Sequence, residues 1–374
     1  MAHVREKDAE QQTVLMVQVE NEVGYLGRGR DRSSAANRLF LAPVPLPLLH
    51  DLQDHQALLS PELRVRFNPH GTTWREAFAD AAEEVFMAWN YATFIQKVAE
   101  AGKRQYSLPM YVNAQLPAPA ERAGEYPSGG PHPYYLDVYR AVAPAIDLYS
   151  PDIYWPNFEY WVQRYKQPGN AVFVPEARLD AAPFNAFYAY GEAGAFGFSG
   201  FGIDSLELPL DRTSPAPAIA QTYAAIADLE DILIPAQAAG MTRGLVLHVD
   251  SPRPTETIAL GGYLFEATLS RSWPAKSLPE DDGAMIVIQS APDEFYIAGR
   301  GLTVSVARDP DFDNHLAGIA SIEELSRIDG KWITVRRLNG DQSNQGRQLS
   351  MAANQVHTYR VRLYATERQR NASR

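Results

Sequence analysis

The sequence predicts a parallel α/β fold over its first two-thirds and a separate all-β domain over the rest. Three observations carry this. Strand-like and helix-like runs alternate as far as residue 235, which is the pattern of repeated βα units. The strands of this part end in polar or aromatic residues, namely Glu22, Asn113, Tyr154, Glu176 and Asp204. In an α/β barrel the C-terminal strand ends carry the chemistry. From Met241 onward the apolar runs are short, β-branched and separated by turns, as in a sandwich or partial barrel. The expected boundaries are 1–235 for the α/β part and 240–366 for the β domain.

Each element follows from local chemistry. Thr13 to Val19 reads as a buried parallel strand, because it is apolar with no alternation. A loop containing Gly24, Gly27 and Gly29 follows. Thr73 to Gly102 reads as helix, opened by a capping box of Thr73 and Glu76 and closed by Gly102. Its length calls for a kink or two helices. Leu108 to Leu116 is the second strand, leading into a Pro/Gly-rich loop, and Tyr134 to Val142 is a short helix. Ala145 to Tyr154 and Ala171 to Arg178 are further strands, separated by a helix at Phe158 to Tyr165. A helix at Pro183 to Ala193, a glycine-rich strand at Ala195 to Asp204 and a helix at Ala216 to Leu233 complete this part. In that strand Gly194, Gly197, Gly200 and Gly202 are expected to permit close packing. In the β domain Asn339-Gly340 is a hairpin signal, and the tail from Glu367 to Arg374 is expected to fray.

Composition removes several classes. Net charge is −11, which argues against nucleic acid as a partner, since such binders carry a basic face. There is no cysteine, so disulfides, thiolate metal sites and cysteine nucleophiles are all excluded. The eight histidines are scattered without metal-ligand spacing, so no metal is expected. Gly24, Gly27 and Gly29 do not follow the dinucleotide fingerprint and no Gly-x-Ser-x-Gly elbow is present. No cofactor is expected. The polar start lacks the apolar core of a signal peptide, and no apolar run is long enough for a membrane helix. Neither observation assigns a compartment.

The chemistry concentrates in VQVENEVG, Val17 to Gly24, and VFVPEAR, Val172 to Arg178. Two carboxylates from separate parallel strands, Glu22 and Glu176, suit glycoside hydrolysis, one as proton donor and one as nucleophile. Strand alternation puts Glu20 on the same side as Glu22 if the strand persists that far. Simpler roles compete: Glu22 as a surface glutamate, and Glu176 as the salt-bridge partner of Arg178.

Together these segments resemble the retaining glycosidases built on (β/α)8 TIM barrels, where an Asn-Glu pair ends strand four and a Glu ends strand seven. The VENE form looks most like glycoside hydrolase family 35 β-galactosidases, and DGKWITVRRLNGDQSNQGRQL is similar to the β domain that follows the barrel in a bacterial branch of that family. The resemblance implies strands four to eight of a TIM barrel followed by a sandwich-like domain. It implies Glu22 as acid/base, Glu176 as nucleophile and Asn21 on the sugar 2-hydroxyl. Tyr154 would touch the nucleophile and Trp155 would serve as a sugar platform. Asn113 and Gln115 are placed to reach the sugar, and Glu20 is either a supporting group or an arginine partner. The implied substrate is a terminal β-galactoside or related oligosaccharide.

The sequence departs from the family in two ways. Ala177-Arg178 follows Glu176 where aromatics are common, and the last strand lacks Trp, leaving Phe198 or Phe201 to substitute. Strands one to three have no counterpart, so the chain is expected to be a C-terminal portion of a longer enzyme, whose full-length form could be periplasmic or secreted. A naturally short fold closed by dimerisation is the other reading. An inactive or sugar-binding remnant is the competing functional class, and a related β-glycosidase the competing specificity. Oligomeric state is left open.

Overall fold

The computed structural model describes residues 1–206, 216–270, 281–313 and 315–367. The chain divides into two compact units, Met1–Ala177 and Arg178–Arg374. The boundary expected at 235–240 falls inside the second unit.

Unit 1 is built on parallel strands β1 (Val17–Gln18), β2 (Met110–Gln115), β3 (Leu148–Ile153) and β4 (Phe173–Ala177). They pair in chain order, β1 with β2, β2 with β3 and β3 with β4. The first strand is much shorter than the expected Thr13 to Val19. A helix at Ala2–Asp8 precedes it, and the Asp8 carboxylate accepts from the backbone of Thr13 and Val14, holding that stretch out of the ladder. Leu15 is consequently 74% exposed. Residues 19–109 between β1 and β2 are mostly helical, and their longest element is the helix Ala82–Gln105. Its buried Val85, Ala88, Ala92, Ile95 and Ala99 recur at three- and four-residue spacing and form one inward stripe. Trp74, Phe78 and Phe86 pack beside it in edge and tilted contacts.

The predicted helix from Thr73 divides. Trp74–Phe78 opens with the capping box of Thr73 and Glu76. A short 3-10 turn at Ala79–Ala81 then leads into Ala82–Gln105. Gly102 lies within that last helix and does not end it. The helix Phe158–Tyr165 forms as expected, and the other short one spans Leu136–Val142.

Unit 2 begins with the helix Ala182–Tyr188, continued by a π-helical turn at Ala189–Ala193. β5 (Gly197–Gly200) and helices at Ala216–Asp228 and Glu230–Ala238 follow. Of the four glycines expected in the strand, Gly194 and Gly202 lie outside it with positive φ. They turn the chain.

The remainder of unit 2 is a pair of antiparallel sheets. One contains β6 (Thr242–Leu247), β9 (Gly283–Ala291), β10 (Glu294–Arg300), β15 (His357–Glu367), β12 (His315–Ile328) and β13 (Lys331–Arg337), in that spatial order. The other contains β7 (Thr255–Leu260), β8 (Tyr263–Leu269), β11 (Leu302–Arg308) and β14 (Gln348–Ser350). Tyr263, Phe265 and Phe295 are fully buried in a core that draws residues from both sheets, the organisation of a β-sandwich.

Asn339-Gly340 does not close a hairpin. β13 pairs with β12 and β14 with β11, so the segment connects two sheets. The Asn339 side chain accepts from the backbone of Gln342 and caps a local turn. The β12–β13 hairpin is closed by Asp329-Gly330, both at positive φ (49° and 72°), as a type I′ turn requires. The tail residues 368–374 lie outside the described residues.

Candidate active site

The C-terminal ends of β1 to β4 bring together Glu22, Asn113, Asp152 and Glu176. Glu176 on β4 is the register partner of Asp152 on β3. Parallel neighbours lie about 4.8 Å apart with side chains on a common face, which explains the pairing of these two carboxyls. Glu22 arrives from the loop after β1. One carboxyl oxygen from each of Glu22, Asp152 and Glu176 lies within 4.8 Å of the others.

Backbone geometry at Glu22 departs from the strand. Glu20 and Glu22 both take positive φ, 61° and 45°, a region that non-glycine residues seldom occupy. Simple alternation therefore does not govern where the two side chains point. Glu20 is exposed, its carbonyl accepts from the Gln18 amide, and its carboxylate makes no ion pair among the described residues. The loop carrying Glu22 is tied down by reciprocal backbone bonds between Tyr25 and Ser128. Its Gly24 packs against Pro127 so closely that a Cβ would lie 2.3 Å from the proline carbonyl carbon.

Asn113 ties the parts together. It is fully buried. Its carbonyl oxygen accepts from the Glu22 backbone N–H (3.1 Å), and its amide donates to Asn21 Oδ1 (3.0 Å) and to Asp152 Oδ2 (2.7 Å). The residue expected to reach a sugar is instead committed beneath the site, where its amide links three segments of the chain. Asn21 is exposed, and its Oδ1 also accepts from Gln18 Nε2 (2.9 Å), which Tyr111 orients through Gln18 Oε1 (2.9 Å). Gln115 is exposed at the end of β2. The Tyr154 hydroxyl donates to Glu176 Oε2 at 2.6 Å, and the half-buried Trp155 is anchored through its indole N–H to the Leu116 carbonyl (3.1 Å). Arg178 makes its salt bridge to Asp180.

Protonation within the cluster is uneven. Burial raises the Glu22 carboxyl above the usual glutamate range and the Glu176 charge adds to this, while the hydrogen bond with Asp152 opposes it. Asp152 is pushed up to about 9, by burial first and then by Glu176 and Glu22, against the lowering effect of Asn113. Burial and the bond to Glu176 raise the Tyr154 phenol, which keeps it a donor. The three carboxyls are also the one group of potential metal ligands among the described residues. A hard cation takes six to eight oxygens, of which they supply three. Carboxyls this close in a buried site cannot all stay ionised on their own, so without a cation the cluster holds a proton.

Sequence reasoning missed Asp152. Its signal was an ionisable residue inside the apolar run AIDLYSPDIY, two positions before Tyr154 and therefore on the same strand face.

Residues 219–350 match a family described as "Domain of unknown function (DUF5597)". No curated protein matches the chain. Among solved structures, the chain is similar to a glycosyl hydrolase family 2 (GH2) member from Bacteroides cellulosilyticus DSM 14838, at 7% identity and a TM-score of 0.21. The match covers 76% of this chain and 45% of that one. A TM-score this low does not establish a shared fold. No helix among the described residues is long and apolar enough to cross a membrane.

Proposed function

We propose that the chain carries the two-carboxylate site of a retaining glycoside hydrolase, with terminal β-galactosides as the substrate class. The observation that carries the reading is the pairing of Glu22 and Glu176. Their nearest oxygens lie within 4.8 Å, and burial pushes Glu22 towards the protonated form. Retaining enzymes hold their carboxyl groups about 5–5.5 Å apart, whereas inverting ones leave about 6.5–9.5 Å for a water.

In this reading a Glu176 oxygen attacks the anomeric carbon as the bond to the leaving oxygen breaks. Glu22 gives its proton to that oxygen. Water then attacks the anomeric carbon of the glycosyl-enzyme, the Glu22 carboxylate takes a proton from it, and Glu176 departs as a carboxylate. Tyr154 holds Glu176 Oε2 so that the other oxygen is presented. Asn21, exposed beside Glu22, is the candidate contact to the sugar 2-hydroxyl, and Trp155 the candidate platform.

The test is mass spectrometry of the chain after incubation with a 2-fluoro-galactoside. An adduct on the peptide containing Glu176 supports retaining chemistry and this nucleophile. Absence of any adduct, with sugar binding retained, favours a binding role instead.

A further inference from the structure

Asp152 has no part in the two-carboxylate scheme, yet it is the most deeply placed of the three carboxyls, at 1% exposed. No cationic side chain is among the described groups that act on it. Glu22 faces it from the loop after β1, Tyr111 from β2, Tyr154 from the end of its own strand, Glu176 from β4 and Tyr165 from the helix Phe158–Tyr165. Asn113 donates to one of its oxygens, and the other, Oδ1, is buried with no partner in the structure. An ionised aspartate here would bring a further negative charge to the cluster and leave an anionic oxygen unsolvated, a cost well beyond that of a neutral group. One oxygen each of Asp152, Glu22 and Glu176 lies within 4.8 Å of the others, and carboxyls this close in a buried site can bond to one another only where one holds a proton.

We propose that Asp152 is a positioning residue that acts as a neutral carboxylic acid, donating its proton to the Glu22 carboxyl and fixing the direction in which Glu22 faces the substrate. This deepens the glycosidase reading and rests on Glu22 being its acid/base. The fully buried Asp152 is braced by Asn113 from below and gives Glu22 a directional donor.

The primary test needs no activity. The wild-type chain, labelled with 13C at aspartate carboxyls, is titrated by NMR, with Asp152→Asn supplying the assignment. One aspartate resonance is expected to remain neutral at pH 7 and to be missing from the variant. An Asp152 resonance already ionised at pH 7 overturns the proposal. If the variant fails to fold, a wild-type chain with no neutral aspartate resonance at pH 7 still overturns the proposal.

The second test uses galactoside turnover. Asn is neutral and keeps an N–H donor, so Asp152→Asn is expected to stay within roughly tenfold of wild type. Asp152→Ala is expected to lose a further factor of roughly ten or more in kcat, the worth of one hydrogen bond to a charged group. Its basic limb should move to higher pH, because the Glu22 carboxylate loses a donor. Equal losses in both variants would contradict the neutral-donor role. If wild type shows no turnover, the glycosidase reading fails while the titration still decides the state of Asp152.

Discussion

Replacing Asn113 by Ala should be among the most damaging single changes in unit 1. The side chain is fully buried and makes three hydrogen bonds, to the Glu22 backbone, Asn21 Oδ1 and Asp152 Oδ2. Each such bond is worth about 1 kcal/mol net, and a buried group left without its partner costs about 1–3 kcal/mol. The Glu22 N–H and Asp152 Oδ2 are the groups left behind, which with the lost bond to Asn21 gives about 3–7 kcal/mol in total. For a unit of this size, ending at Ala177, each kcal/mol moves the melting temperature by about 2–4 °C. The expected loss is on the order of 10 °C by calorimetry or circular dichroism. Asn113→Asp is a sharper control, because it places an acceptor where Asn21 and Asp152 both need a donor. It should destabilise more at pH 8 than at pH 5, where a protonated aspartate can still donate once. A loss of less than about 1 kcal/mol in Asn113→Ala would refute the argument that this amide holds the site together.

Three further outcomes follow from the same geometry. Glu22→Gln should lower kcat/KM by roughly 10²–10⁴, the usual worth of a general acid/base. The wild-type basic limb, set by Glu22 losing its proton as pH rises, should lie above the ordinary glutamate range and be absent from the variant's residual profile. Tyr154→Phe removes the 2.6 Å bond to Glu176 and should slow formation of the fluoro-galactosyl adduct roughly 10–100-fold, as expected for a hydrogen bond to a charged group, with an unchanged fold by circular dichroism. Gly24→Ala would press a Cβ to 2.3 Å from the Pro127 carbonyl carbon. Denaturant titration should show a loss of about 1–3 kcal/mol typical of overpacking, and adduct formation should slow because the loop carrying Glu22 must move.

Much of this protein was legible because its signals are local. The capping box of Thr73 and Glu76 depends on residues within one helical turn, and the helix Phe158–Tyr165 on a single amphipathic stripe. The strands β2, β3 and β4 sit inside their predicted runs, since apolar character over five or six residues survives in any parallel sheet. The turn chemistry was less faithful. Asn339-Gly340 and Asp329-Gly330 carry equivalent hairpin signals, and only strand pairing tells which of them closes one.

By itself the sequence marked the runs leading to Glu22, Asn113, Tyr154 and Glu176 as successive strands of one parallel sheet. Tertiary structure alone decided how these residues meet. The loop after β1 turns through two positive-φ glutamates, so no alternation rule could aim Glu22. Asn113 lies beneath the site because it satisfies groups 91 and 39 residues away in the chain. Asp152 becomes the third carboxyl only when β3 and β4 take the register that sets it beside Glu176. Burial, and the charge of neighbours distant in sequence, then decide which carboxyl keeps its proton.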